Sequence, residues 1–267
     1  MKLLNGTELA GFIKQQHAGQ VRALQASKIY PKLAIVQAKD DPVINTYVRL
    51  KNEYGSDIGV AVDVHKVGQS EIPELLNKLT TDESVHGIII QLPLPDPSKT
   101  DEMVNLVDPK KDVDALGEKS EFEPATPMAI LWLLSGYNID LAGRKILLIG
   151  RGKLVGAPLE KMLRDSGHDV VVIDREIPDL ANHTKEADVI ITATGSPAIL
   201  YPDMIKQGAV VVDAGVASEE GKTVGDLASE VYQRDDLTIT PEKGGVGPLT
   251  VSALFENVIR AAQHAKD

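Results

Sequence analysis

The stretch Lys145-Ile146-Leu147-Leu148-Ile149-Gly150-Arg151-Gly152-Lys153-Leu154-Val155-Gly156 decides the fold that we predict. Its run of apolar residues, Ile146–Ile149, predicts a buried strand, and the glycines that follow predict a turn opening a helix. Glycines between a strand and a helix let the backbone approach a pyrophosphate, and the helix N-terminus supplies N–H groups. The same spacing also occurs in tight turns that bind nothing, and it lacks the Gly-Lys-Ser/Thr of a triphosphate-binding loop. The candidate cofactor-binding residues in this turn are Gly150, Arg151, Gly152 and Gly156.

Further strands and helices alternate on both sides of this stretch, which predicts an α/β fold. Downstream, apolar strands at 169–173, 189–193 and 209–212 complete a doubly wound, Rossmann-type sheet. Upstream, strands at 32–38, 60–64 and 87–91 give a β-α-β-α-β unit. We therefore expect two domains: a dinucleotide domain over 123–249, and a first domain over 1–122 that is completed by a terminal helix within 250–267.

The residues after the second Rossmann strand bear on the choice between NAD and NADP. Asp174 ends that strand, where a carboxylate typically binds the ribose of NAD. Arg175 follows it, and Arg151 lies in the glycine turn, where guanidinium groups suit the extra phosphate of NADP. A polar turn at a strand end is the alternative explanation of Asp174. These residues alone leave the choice of cofactor open.

A second candidate site is predicted from the first domain. Tyr47 and Lys51 are four residues apart on a predicted helix and therefore share one face. The apolar strand 87–91 ends at Gln91, and Pro93 and Pro95 prevent it from continuing. A phenol, an amine and an amide brought together in this way form a plausible ligand pocket, although each residue type is more often merely solvated or structural.

The composition excludes several classes of function. The net charge of −11 argues against nucleic acid or an anionic membrane surface as the main partner. The chain has no cysteine, so disulfides and thiolate chemistry are absent, and its six histidines show no metal-ligand spacing. With no signal peptide and no apolar run of membrane length, we expect a cytoplasmic protein.

Seven motifs in this order resemble the bifunctional methylenetetrahydrofolate dehydrogenase/methenyltetrahydrofolate cyclohydrolase family. The resemblance extends over nearly the whole chain. The motifs are Tyr47-x-x-x-Lys51, Gln91-Leu-Pro-Leu-Pro, Pro109-x-Lys-Asp-Val-Asp114, Pro124-x-Thr-Pro127, Gly150-Arg151, Val155-Gly156-x-Pro158 and Gly244-Gly-Val-Gly-Pro248.

The resemblance implies two reactions of one-carbon folate metabolism, which supplies purine biosynthesis. A nicotinamide cofactor, NADP by family default, takes hydride from methylenetetrahydrofolate, and water then opens the methenyl product to formyltetrahydrofolate. The family also implies a homodimer formed through the dinucleotide domain.

The resemblance also implies roles for individual residues. Lys51 would transfer protons in the cyclohydrolase step, Gln91 would position that lysine, and Tyr47 would pack on the aromatic portion of the folate. The expected substrate-binding residues are Asp114, which would bind the pterin amino and ring N–H groups, and Gly244, Gly245 and Pro248 of a folate-side loop. Val216 belongs to a segment that resembles the nicotinamide side of the cofactor site.

Four positions depart from the family pattern. Gly152 replaces a serine, and Asp174 replaces a histidine, which puts cofactor affinity and choice in question. Ala115 and Ala129 stand where the family has glycine. Three alternatives therefore remain: a monofunctional dehydrogenase, a folate-binding protein with a decayed cofactor site, and a dehydrogenase of shikimate-dehydrogenase type.

Overall fold

The structure is a computed structural model that describes residues 1–174, 179–219 and 222–265. The chain divides into two compact units. One unit comprises Met1–Ala10 and Thr126–Thr250, and the other comprises Gly11–Ala125 and Val251–Asp267. No helix within the described ranges is both long enough and apolar enough to cross a membrane.

Helices and strands alternate along the chain as the sequence predicts. The elements up to the start of the second sheet are β1 (Lys2–Leu3), α1 (Gly6–Ala26), β2 (Lys32–Gln37), α2 (Pro42–Ile58), β3 (Ala61–Lys66), α3 (Ile72–Thr81), β4 (Gly87–Gln91), α4 (Thr100–Val104) and α5 (Ala125–Gly136). Those that follow are β5 (Ile146–Ile149), α6 (Gly156–Asp165), β6 (Val170–Ile173), α7 (Leu180–Glu186), β7 (Val189–Thr192), β8 (Val210–Asp213), β9 (Ala217–Glu219), β10 (Lys222–Val224), β11 (Thr238–Ile239) and α8 (Val246–His264).

The unit that contains Gly11–Ala125 is built on a three-stranded sheet with the order β3-β2-β4. Both strand pairs are parallel, and their register places Gln37 of β2 beside Gln91 of β4 at the carboxyl edge. The helix α2 begins at Pro42, where the side chain of Asp41 accepts a hydrogen bond from the N–H of Val43 at 2.9 Å. This N-cap and the proline at the first turn fix the start of the helix that carries Lys51.

The other unit is built on a six-stranded sheet with the order β1-β11-β8-β7-β5-β6. All five strand pairs are parallel. The residues of β5 and β7 are fully buried and apolar apart from Thr192, as expected for strands covered on both faces. The predicted doubly wound α/β fold is confirmed.

The structure differs from the sequence prediction at several element ends. The terminal helix α8 begins at Val246 rather than near 251, so Pro248 lies in its first turn and not in a loop. Between β7 and β8 the chain forms a 3-10 turn, Pro202–Met204. The two-residue strands β1 and β11 were not predicted, because so few residues carry no recognisable period.

Candidate active site

Lys51 and Gln91 meet in the three-stranded unit. Lys51 lies in the third turn of α2, and Gln91 is the last residue of β4. The Lys51 Nζ donates a hydrogen bond to Gln91 Oε1 at 2.8 Å. The amide of Gln91 in turn donates from Nε2 to the carbonyl of Leu92 at 3.0 Å, which turns its oxygen toward the lysine. The structure thus brings together two of the three predicted catalytic side chains.

Two opposing effects act on the pKa of Lys51. Burial lowers the pKa of Lys51 below the value of a free lysine, and the negative charge of Asp114 partly opposes this. Burial correspondingly raises the pKa of Asp114, while Lys51 lowers it. An amine with a depressed pKa can give and take protons nearer neutral pH than an exposed lysine can.

Tyr47 lies one turn before Lys51 on α2, as predicted from the spacing. Its side chain is 38 % exposed, whereas its neighbour Val48 is buried against the core. A partly exposed phenol ring beside a half-buried amine offers a flat apolar surface that a ligand can cover. This arrangement fits the predicted contact of Tyr47 with an aromatic group.

The segment that carries Asp114 is fixed to the sheet and to the terminal helix. The N–H of Ile88 donates to the carbonyl of Lys111 at 2.7 Å, which places the segment beside β4. From α8, the side chain of Asn257 donates to the carbonyls of Val113 at 2.9 Å and Glu123 at 2.8 Å. Asp114 is therefore held on a rigid frame.

The charge run from Asp108 to Asp114 is not the solvated loop that its composition suggests. Lys111 Nζ donates to the carbonyls of Leu79, Thr80 and Asp82 at 2.8–3.1 Å, and so caps the C-terminal end of α3. Asp112 is only 3 % exposed, and its carboxylate accepts the N–H of Gly117 at 2.9 Å.

Asp112 is a residue that sequence reasoning missed. Burial, reinforced by the nearby charge of Asp114, raises the pKa of Asp112 to about 6, against the lowering effect of hydrogen bonds from Gly117 and Leu116. The sequence signal for Asp112 is its position two residues before Asp114 in the same motif.

Ala115, which follows Asp114, has φ 55°, a left-handed conformation in which glycine is far less strained.

The glycine turn in the six-stranded unit has the geometry of a dinucleotide-binding turn. Gly150 has φ 97°, and a Cβ on Gly156 would lie 2.0 Å from the carbonyl oxygen of Gly150. Both positions therefore exclude a side chain, and bare backbone leads directly into the N-terminus of α6. This arrangement fits the pyrophosphate of a dinucleotide. A Cβ on Gly152 would meet nothing within 4 Å, so this glycine is not required by packing.

The structure describes two of the three charged residues that were predicted to bind the cofactor, Arg151 and Asp174. Arg151 has an exposed side chain and donates from Nε to Glu160 Oε2 at 2.8 Å. Arg164 donates to the other oxygen of Glu160 at 3.2 Å. Asp174 follows β6 and is exposed, and the predicted Arg175 lies outside the described residues.

The predicted folate-side glycines and the predicted nicotinamide-side residue also lie in this unit. Gly244 has φ 83°, and its carbonyl accepts the N–H of Thr7 at 3.0 Å. Gly245 packs so closely on Gly6 that a Cβ on Gly6 would lie 1.7 Å from its carbonyl oxygen. Val216 follows β8 and is 61 % exposed. Within the described ranges, no group of histidine and acidic side chains is arranged to hold a metal ion.

Comparisons with known proteins match both units. A family model described as "Tetrahydrofolate dehydrogenase/cyclohydrolase, catalytic domain" matches residues 4–114. A second, described as "Tetrahydrofolate dehydrogenase/cyclohydrolase, NAD(P)-binding domain", matches residues 124–266. Together they cover most of the chain, and they confirm the family that the seven motifs indicate.

Individual relatives agree with the family models. The curated "Bifunctional protein FolD" of Campylobacter jejuni (strain RM1221) is 37 % identical over 279 residues, covering 99 % of both chains. The crystal structure of the bifunctional methylenetetrahydrofolate dehydrogenase/cyclohydrolase from Campylobacter jejuni has a TM-score of 0.93, with 36 % identity and 99 % of both chains covered. The Trypanosoma brucei dehydrogenase-cyclohydrolase, solved with NADP and an inhibitor, has a TM-score of 0.92 with 27 % identity, covering 99 % of this chain and 98 % of its own.

Proposed function

Since this chain belongs to the tetrahydrofolate dehydrogenase/cyclohydrolase family, we propose that it oxidises methylenetetrahydrofolate with NADP and hydrolyses the methenyl product to formyltetrahydrofolate. The observation that carries the proposal is the hydrogen bond from Lys51 Nζ to Gln91 Oε1. A protein retaining only the dehydrogenase step would have no use for a half-buried amine held in this way. The bond therefore favours the bifunctional enzyme over a monofunctional dehydrogenase.

Lys51 is the proposed proton-transfer group of the hydrolysis. Water adds its oxygen to the methenyl carbon, and one of its protons passes to Lys51 Nζ. The bond from that carbon to one ring nitrogen then breaks, and the proton held by Lys51 is returned to this nitrogen. The remaining hydroxyl proton is released to solvent as the formyl C=O forms. The lowered pKa of Lys51 makes the neutral, proton-accepting amine available, and Gln91 holds Nζ in one orientation.

Asp114 and Tyr47 are the proposed binding groups for the folate. An ionised Asp114 presents two acceptor oxygens, which match the two donors of the pterin amino group and ring N–H. Burial raises the pKa of Asp114, and a positive charge on Lys51 partly offsets this shift. Tyr47 offers its exposed ring to the aromatic portion of the substrate. Gly244, Gly245 and Pro248 are the proposed folate-side residues of the other unit.

The proposed cofactor is NADP, which accepts the hydride when bound. Gly150, Gly152 and Gly156 supply the turn for its pyrophosphate, and the exposed guanidinium of Arg151 is the proposed partner of its 2′-phosphate. Asp174 at the end of β6 would instead favour the free ribose hydroxyls of NAD. Val216 is assigned to the nicotinamide side.

We further propose a cytoplasmic homodimer that contributes to the one-carbon supply of purine biosynthesis. Support for a dimer through residues 123–249 comes from β6, an edge strand whose Val171 is 51 % exposed. Sedimentation equilibrium should give twice the chain mass, and a monomer at micromolar concentration would contradict the dimer. Residues 1–122 with 250–267 are the proposed folate portion of the chain.

The test of the proposed function is an initial-rate assay on the purified protein. Methylenetetrahydrofolate is supplied with NADP or with NAD in parallel, and reduced nicotinamide and methenyl product are followed separately. Hydrolysis is measured on methenyltetrahydrofolate alone. We expect both activities, with a preference for NADP that reflects Arg151. No turnover with either cofactor, combined with folate binding in a calorimetric titration, would identify a binding protein with a decayed cofactor site.

A further inference from the structure

Two acidic residues that the proposed chemistry does not use lie together in the six-stranded unit. Asp226 is completely buried, although it belongs to no helix or strand. Its main-chain N–H donates to the Asp213 carboxylate at 2.9 Å. Asp213 ends β8 and pairs in register with Thr192, the last residue of β7. The pair thus lies at the carboxyl edge of the sheet, where doubly wound folds bind dinucleotides.

Asp226 fixes the loop that follows β7. Its Oδ2 accepts the N–H of Thr194 at 2.8 Å, and its Oδ1 accepts the N–H of Ser196 at 3.0 Å. The residue between them, Gly195, is exposed and has φ 63°. One carboxylate therefore holds both sides of an exposed glycine through charge-assisted hydrogen bonds.

Asp213 fixes the loop that follows β8. Its Oδ1 accepts the N–H of Gly215 at 2.9 Å, and its Oδ2 accepts the N–H of Leu227 at 3.2 Å. Its own N–H donates to the buried hydroxyl of Thr240 at 3.0 Å. Burial raises the pKa of Asp213, although the surrounding N–H donors lower it. The carboxylate is held by donors from several loops at once.

The two loops meet above the acidic pair. A Cβ on Gly195 would lie 3.2 Å from the carbonyl oxygen of Val216, so their backbones are in contact at an exposed position. Space beneath them is tightly filled, since a Cβ on Gly215 would lie 1.9 Å from Asp226 Oδ1. Likewise, a Cβ on Gly225 would lie 2.1 Å from Asp213 Oδ2.

We propose that Asp226, acting with Asp213, is a positioning residue that holds the loops at Gly195 and Val216 in the shape that receives the nicotinamide end of the cofactor. This inference rests on the proposed dehydrogenase function. Asp226 is buried beneath the loop that presents Gly195, so it acts through backbone groups rather than through contact with the ligand. The hydrolysis of the methenyl product transfers no hydride and does not depend on this shape.

The test compares Asp226→Asn with the parent enzyme. Asparagine keeps the size of the side chain but turns an NH₂ group toward one of the two backbone N–H donors. We expect the dissociation constant for NADP in calorimetric titration, and the KM for NADP, to rise about 10- to 100-fold. Hydrolysis of methenyltetrahydrofolate should stay within about twofold of the parent. Hydrogen exchange at the amides of Thr194 and Ser196 should become faster in the protein without cofactor.

Two further variants make the result specific. Gly215→Ala places a methyl group against Asp226 from the opposite side and should weaken NADP binding in the same selective way. Asp188→Asn is the control, because Asp188 also accepts a backbone N–H, that of Lys145 at 3.0 Å, but precedes β7 at the opposite edge of the sheet. It should leave NADP binding unchanged.

The outcomes separate the inference from the proposed function. If Asp226→Asn leaves the NADP dissociation constant unchanged, or lowers both activities equally together with the melting temperature, then Asp226 is merely structural. A parent enzyme without dehydrogenase activity would instead overturn the proposed function, whatever the variant shows.

Discussion

The two units each contain a pair of acidic residues, and the pairs are stabilised differently. In the six-stranded unit, Asp213 and Asp226 are surrounded by backbone N–H donors from several loops. In the three-stranded unit, Asp112 accepts a backbone N–H from Gly117, whereas the buried Asp114 is offset by the charge of Lys51. A carboxylate bonded to fixed backbone keeps one geometry, whereas a carboxylate beside a titratable amine, as Asp114 is, can exchange protons and meet a ligand. In our proposals the first pair shapes the cofactor site, and Asp114 of the second pair binds the folate.

The largest expected effect comes from removing the amine. Lys51→Met should reduce hydrolysis of methenyltetrahydrofolate about 10²- to 10⁴-fold, because no group then accepts the proton of the attacking water. Oxidation of methylenetetrahydrofolate should fall much less. Lys78→Met on α3 is the control, since Lys78 is exposed and pairs with Glu74 along its own helix. Equal loss of both activities in Lys51→Met would contradict a selective role in hydrolysis.

The second prediction concerns the pH dependence of stability. Because the pKa of Asp112 is raised to about 6, the folded state binds its proton more tightly than the unfolded chain does. Asp112 therefore adds to the free energy of unfolding at low pH, and this contribution is lost as the pH rises from about 4 to about 6. Relative to Asp112→Asn, the parent should lose up to about 3 kcal/mol over this range, measured by urea unfolding at several pH values.

Asp82→Asn, measured in the same way by urea unfolding at several pH values, should show the opposite pH dependence. A hydrogen bond from the Ser84 hydroxyl lowers the pKa of the exposed Asp82. The contribution of Asp82 to the stability of the fold therefore grows as the pH rises. A parent and Asp112→Asn with parallel stability curves between pH 4 and 6 would show that Asp112 is not an unusual acid.

The third prediction tests the cofactor side. Arg151→Ala should raise the KM for NADP about tenfold, because a charged hydrogen bond to the 2′-phosphate is lost, while the KM for NAD stays within about twofold. Arg164→Ala is a matched control, since Arg164 shares Glu160 with Arg151. Equal effects of Arg151→Ala on NADP and NAD would assign that phosphate to another group.

The smallest expected effect is an increase in stability on replacing Ala115 with glycine. Ala115 has φ 55°, a conformation that costs alanine about 1–2 kcal/mol and glycine almost nothing. After allowing for the greater freedom of glycine in the unfolded chain, Ala115→Gly should stabilise the protein by about 0.5–1 kcal/mol. Ala142→Gly, at an exposed alanine of ordinary φ, should instead destabilise it slightly. Chemical unfolding at neutral pH measures both, and a loss of stability in Ala115→Gly would contradict the strain.

Sequence reasoning was most successful where a feature is local. The glycine turn at 150–156 lies between β5 and α6 as predicted, because a strand followed by closely spaced glycines has few alternatives. The spacing of Tyr47 and Lys51 places them on one face of α2, since the helical repeat is fixed by the backbone. The start of α8 was misplaced, because glycines and Pro248 resemble a loop but proline is also compatible with a first helical turn.

By itself, the sequence determined the order of strands and helices, the glycine turn, and the residue types available to each site. Only the tertiary structure decided which charged residues are buried or bonded to distant backbone. Asp112, Lys111 and Asp226 belong to polar stretches that look solvated, yet each is held by backbone groups distant in sequence or by tight packing. Periodicity reports one face of one element, whereas burial and pKa depend on every element packed against a residue, and that information is not local.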